Sequence, residues 1–230
     1  MIIGIDCGHT LSGAGTGANG FVSETQKNRE VGNRLITMLR EKGHTVVNCT
    51  VDTSTNDLYA RVQKANAQTL DLFVSLHLNA FKTVDYDMGV ETYIYSGAYN
   101  GKEANKTKAQ AIQTALVNDI GWKNRGVKED NFYVLRETVA PAVLVELGFC
   151  DSRADMNKWN TEKIAAALFR GITGTAYTAP APAAAPAAAQ KSNTYFRVCV
   201  GSFNSRENAV AQQEKLKKAG FDSFLVAFEK

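Results

Sequence analysis

Residues 71–80 read DLFVSLHLNA. Leu72, Phe73, Val74, Leu76 and Leu78 crowd a stretch too short for a helix and broken only by Ser75 and His77. A strand covered on both faces has this near-continuous apolar pattern, whereas a strand with one wet face alternates. Upstream, Ile2–Asp6 and Thr45–Cys49 are similar short runs; downstream, so are Gly89–Tyr95, Phe132–Arg136 and Ala142–Glu146. Between them lie helical patterns. Glu24–Lys42 sets Val31, Leu35, Met38 and Leu39 on one face and stops at Gly43. Asn56–Thr69, Gly101–Asp119 and Thr161–Thr175 follow the same spacing. Strands alternating with helices predict an α/β domain: a mixed, mostly parallel twisted sheet with helices on both faces.

A second unit is expected at the far end. Ala179–Gln190 reads APAPAAAPAAAQ and holds three of the four prolines. Proline among alanines favours an extended spacer over a packed element. The expected division is a large domain at 1–178, an Ala/Pro linker at 179–191 and a small β-α-β module at 192–230. In the module, Tyr195–Val200 and Ser223–Phe228 read as strands. Between them a helix is capped by Ser205, turns Ala209, Leu216 and Ala219 inward, and ends at Gly220.

Composition narrows the function. The net charge is +3, and all of it comes from residues 191–230; the rest balances to zero. A neutral large domain with a modest basic tail argues against nucleic acid and suits an anionic polymer such as a cell wall. Cys7, Cys49, Cys150 and Cys199 are far apart and form no CxxC pair, so buried free thiols are expected rather than a disulfide framework. The opening MIIGIDCGHT has no basic leader or long apolar run, and no stretch is long enough to span a membrane. Synthesis in the cytoplasm without a signal peptide is the expectation.

The chemistry lies at strand ends. Of three histidines, His9 follows IIGIDCG and His77 closes DLFVSLH, while Glu146 sits inside the apolar AVLVELGF. In open α/β sheets the carboxyl ends of the strands form the ligand crevice. A carboxylate between Val145 and Leu147 is costly to bury unless it is paired or works beside a metal. His77 alone is as well explained by a hydrogen bond to a loop. Glu24 alone is as well explained by the dipole of the helix it opens. Together, two imidazoles and a carboxylate are a common catalytic zinc set with a position left for water. The loop LSGAGTGANG after His9 lacks the spacing of a phosphate cradle and reads as a mobile or close-approach loop. His44, on the opposite edge, reads as structural.

The ordered set Gly8-His9, Glu24 opening a helix, SLHLNA (75–80) and VELGF (145–149) resembles the zinc-dependent N-acetylmuramoyl-L-alanine amidases of cell-wall hydrolases and phage endolysins. The run RGVKEDNFYVLRETVAPAVLVELGF is similar to that family's approach to its catalytic glutamate, and the resemblance covers roughly residues 1–176. It implies a single zinc ion held by His9, Glu24 and His77, with Glu146 as catalytic acid/base. It also implies peptidoglycan as substrate, cut between N-acetylmuramic acid and L-alanine. Cys7 departs from relatives that carry Pro or Ala there; it is expected to face the core. Asn79 and Arg136 are candidates by position for reading the stem peptide. Gly13–Gly20 and Thr83–Met88 are candidates for framing the groove.

The tail, YFRVCVGSF (195–203) and AVAQQEKLKKAGFDSFLV (209–226), resembles one half of a sporulation-related (SPOR) repeat, whose relatives bind glycan strands. Half a repeat exposes sheet edges and buries little, so a homodimer through paired tails is expected. The expected biological setting is an endolysin or autolysin that reaches the wall after a holin-type release or mother-cell lysis. A zinc peptidase cutting within the stem peptide and a non-catalytic wall-binding protein remain alternatives.

Overall fold

The computed structural model describes residues 1–179 and 201–227. Backbone contacts divide the chain into two compact units, Met1–Pro180 and Ala181–Lys230. In the first unit the element order is β1 (Ile2–Cys7), α1 (Glu24–Glu41), β2 (Thr45–Asn48), α2 (Asp57–Asn66), β3 (Leu72–Asn79), β4 (Val90–Tyr95), α3 (Lys102–Ile120), β5 (Asn124–Asp130), α4 (Tyr133–Arg136), β6 (Ala142–Phe149), α5 (Arg153–Asn157) and α6 (Thr161–Thr173). The six strands form one sheet in the order β2-β1-β3-β6-β4-β5. Every neighbouring pair is parallel except β4 and β6.

The two faces are covered unequally. Leu72, Val74, Leu76 and Leu78 of β3, with Val143, Val145 and Leu147 of β6, enter a large core with residues of α1, α3 and α6. Val31, Leu35 and Leu39 of α1 recur at helical spacing, as do Ile164, Leu168 and Ile172 of α6, so each helix buries one stripe against the sheet. On the other face Phe73, Ala142 and Leu144 meet Val62 and Ala65 of α2 and Val134 and Leu135 of α4. That core is small because α2 and α4 are short. Side chains alternate across a strand. Asp6, His77, Glu91 and Glu146 therefore share the thinly covered face. They lie at the carboxyl edge of β1, β3 and β6, which is the amino edge of β4.

Two local expectations are corrected. Phe132–Arg136 was expected as a strand, but the Phe132 carbonyl accepts from the amides of Leu135 and Arg136 and winds one helical turn. The turn buries Val134 and Leu135 side by side, which an alternating strand could not do. The strand in this region is β5, whose NRGVKED has no apolar period because it is a partly exposed sheet edge. In the second unit α7 (Arg206–Lys218) forms where a helix was expected, with Ala209 and Leu216 half-buried and Ala219 exposed. Of the expected strand at Ser223–Phe228, residues 223–227 are described. The expected strand at Tyr195–Val200 and nearly all of the expected linker lie outside the described residues.

Candidate active site

His9, Glu24 and His77 converge from three elements. His9 follows β1, Glu24 opens α1 and His77 belongs to β3. Glu24 Oε1 lies 3.0 Å from His9 Nε2 and 3.1 Å from His77 Nδ1. One ligand atom from each residue fits within 4.8 Å of the others. A tetrahedral zinc with bonds of about 2.0–2.1 Å sets its ligand atoms about 3.3 Å apart, so this donor set fits that ion. His44 lies elsewhere, with its ring edge-on to Phe169 at 6.2 Å.

The surroundings fix each side chain. His9 adopts φ 67°, the described residues' one positive φ outside glycine. Its Nδ1 sits 3.1 Å from the Gly15 carbonyl, which leaves Nε2 for the cluster. Its own carbonyl accepts from Arg29 at 2.9 Å and from Arg61. Arg61 is 1% exposed and also pairs with Asp6, itself held by Ser75 Oγ at 2.7 Å. The second Glu24 oxygen accepts from the Ala18 amide at 2.9 Å, and Oε1 from the Leu78 amide at 3.2 Å. Burial would push the Glu24 carboxyl up, but hydrogen bonds from His77 and His9 outweigh it and hold the group far below its ordinary range. For His9 burial favours the neutral ring, yet the Glu24 contact leaves its pKa raised. Two glycines make room: a Cβ on Gly8 would lie 2.2 Å from His77 Cε1, and one on Gly17 2.8 Å from Glu24 Oε2. The expectation for Cys7 holds: it is buried, and the nearest atom to a Cβ on Gly32 of α1 would be its Sγ.

Glu146 is the Cα partner of His77 on β3 and of Glu91 on β4. Its Oε2 is covered and lacks a hydrogen-bond partner. Burial, then the charges of Glu24 and Glu91, push its carboxyl up to about 8. Covering a carboxylate oxygen without a partner is costly, so the group is one to explain.

Asn79 lines a cavity of about 310 Å³ beside this row, with Ala80, Phe81, Met88, Arg125 and Phe149. Arg136 does not line it; from α4 its guanidinium donates to Glu137 and Asn131. The sequence reading also passed over Asp6, Arg61 and Glu91. The signal was present for two of them, since Asp6 in IIGIDC and Glu91 in VETYIY are carboxylates inside apolar strands, as Glu146 is.

Comparison with known proteins decides the lineage. The family described as N-acetylmuramoyl-L-alanine amidase matches residues 3–175, and the SPOR domain matches residues 160–227. The chain belongs to the N-acetylmuramoyl-L-alanine amidase family. It is 31% identical to the N-acetylmuramoyl-L-alanine amidase CwlM of Bacillus licheniformis, over 96% of this chain and 83% of that protein. The N-acetylmuramoyl-L-alanine amidase of Clostridium difficile 630 superposes with a TM-score of 0.67 at 30% identity, covering 75% of this chain and 95% of the other. The catalytic domain of the CD27L endolysin targeting Clostridia difficile gives 0.67 and 30%, covering 77% and 99%. The amidase match ends within two residues of α6, and the SPOR match begins at the cap of that helix, upstream of the expected module boundary at 192.

Proposed function

We propose that this amidase-family chain is a zinc enzyme hydrolysing the amide between the lactyl carbonyl of N-acetylmuramic acid and L-alanine in peptidoglycan. The observation that carries the reading is the cluster of His9, Glu24 and His77 beside Glu146, whose covered oxygen has no partner. His9 Nε2, Glu24 Oε1 and His77 Nδ1 would hold the ion. Bound zinc lowers the pKa of a water toward about 7 and polarises a carbonyl. Glu146 takes the proton of the attacking water and delivers it to the departing alanine nitrogen. Its raised affinity for a proton suits the first half of that exchange, in which it accepts one. The sheet edge and the glycine-rich loop keep His9 oriented while this happens.

Glu146→Gln tests the role: the variant should retain zinc and lose several orders of magnitude in rate. Wild-type activity in that variant would refute it. We further infer that the enzyme works at the cell wall after release from the cell that made it, a reading supported by its likeness to an endolysin catalytic domain. For the tail we propose glycan binding, supported by the SPOR match, and pairing between two chains, supported by exposed Phe203, Phe221, Leu225 and Val226. Light scattering across micromolar concentrations should show a dimer; a strict monomer would refute the pairing.

A further inference from the structure

Glu91 is 1% exposed, yet four side chains converge on it. Asn79 Nδ2 and the Tyr93 hydroxyl each donate to Oε1 at 2.8 Å. Arg125 Nε donates to Oε2 at 2.6 Å, and Lys128 Nζ donates to the same oxygen. Two cations thus share one buried carboxylate, which leaves a surplus positive charge. That charge sits on the more exposed partners, whose side chains are 29% and 38% accessible for Arg125 and Lys128.

The cluster's position is informative. Glu91 is the Cα partner of Glu146, and β5 carries Arg125 one strand further along the same sheet edge. The row across the sheet therefore runs His77, Glu146, Glu91 and then Arg125. Asn79 and Arg125, both tied to Glu91, line the cavity beside the row. The rest of the lining named above is Ala80, Phe81, Met88 and Phe149, mostly apolar. The Arg125 guanidinium lies over the Phe149 ring at 5.0 Å; besides the Nε bond to Glu91, its Nη1 makes a long contact, 3.4 Å, to the Met88 carbonyl. A pinned guanidinium in an apolar cavity suits a planar anion, because its fork matches a carboxylate with two parallel bonds. Neutral sugar hydroxyls would not require the surplus charge.

We propose that Arg125 binds the glutamyl α-carboxylate of the stem peptide and sets the enzyme's preference for peptides in which it is free. Glu91 is the positioning residue that holds Arg125 and Asn79 in place for it. The inference rests on the amidase reading for its substrate.

The test uses the full chain and two product peptides, L-alanyl-γ-D-glutamyl-L-lysine and its counterpart with the glutamyl α-carboxylate amidated. Titration calorimetry should show the free acid binding about ten- to a hundredfold more tightly, the range for a hydrogen-bonded charged group. Arg125→Met should erase the difference, and Arg125→Lys should keep part of it. Glu91→Gln should shrink the preference and raise KM more than it lowers kcat on the matching muramyl peptides. If Glu91→Gln does not fold, Arg125→Met at the sheet edge decides the question alone. Equal binding of both peptides by the wild-type chain, or an undiminished preference in Arg125→Met, would overturn the proposal. Mass spectrometry of digests run in parallel locates the cut bond. A correct cut without preference overturns this inference and leaves the amidase reading standing; a preference with a cut elsewhere does the reverse.

Discussion

Replacing Arg61 by Met should damage both the fold and the proposed metal site. Arg61 is 1% exposed and Asp6 is fully buried. The guanidinium pairs with Asp6 and also donates to the carbonyls of Cys7, His9 and Val51. Methionine fills similar space but leaves Asp6 with only the Ser75 hydroxyl. Removing one partner of a buried ion pair costs about 3–5 kcal/mol, since the other charge stays buried. The second effect is local. His9 holds φ 67°, a conformation that costs a non-glycine residue on the order of 1–3 kcal/mol and lasts only where its surroundings impose it. Without Arg61 the His9 carbonyl keeps only its bond from Arg29. Loss of such support costs metal sites about 10- to 100-fold in affinity. Urea unfolding of metal-free protein should show the stability loss, and zinc competition with a chelator the weaker binding. Asp6→Asn combined with Arg61→Met should recover much of the stability, because removing both charges leaves none uncompensated. A stability loss below about 1 kcal/mol with unchanged zinc affinity would refute this reasoning.

Gly8→Ala should destabilise the protein by about 1–3 kcal/mol and weaken zinc binding, because the new methyl collides with the His77 ring; thermal melts with and without zinc check it, and a neutral result would mean the ring can move aside. Burial raises the Glu91 carboxyl, but bonds from Lys128, Arg125 and Tyr93 more than offset this and leave its pKa below 4.5. Glu91 therefore adds stability that is fully present above pH 4.5 and disappears as pH falls through its lower folded value, so Glu91→Gln should flatten that acidic part of a urea-midpoint profile; an unchanged profile would contradict it. Dialysis against a chelator should abolish cleavage, and zinc should restore it; activity that survives complete metal removal would rule out the proposed chemistry.

The architecture was legible because the central strands are covered on both faces, and double burial writes itself as apolar runs such as LFVSLHL. β5 escaped because an edge strand needs no apolar run, and NRGVKED carries its polar groups on exposed positions. Misplacing that strand onto Phe132–Arg136 also put Arg136 forward for reading the peptide. The arginine lining the cavity is Arg125, on the strand that the pattern hid. His77 and Glu146 stood out as polar residues closing apolar strands, and His9 by its place after one. Arg61 was out of reach for a different reason. It lies on α2, 55 residues after Asp6, and only the packing of that helix across the sheet brings the two together.

The most direct test of the central claim is mass spectrometry of purified peptidoglycan after digestion by the zinc-loaded chain. The account predicts glycan strands with free lactyl carboxylates and stem peptides with new L-alanine amino termini, both missing in the Glu146→Gln digest. Cleavage between residues of the stem peptide, or no cleavage by the zinc-loaded wild type, would contradict it.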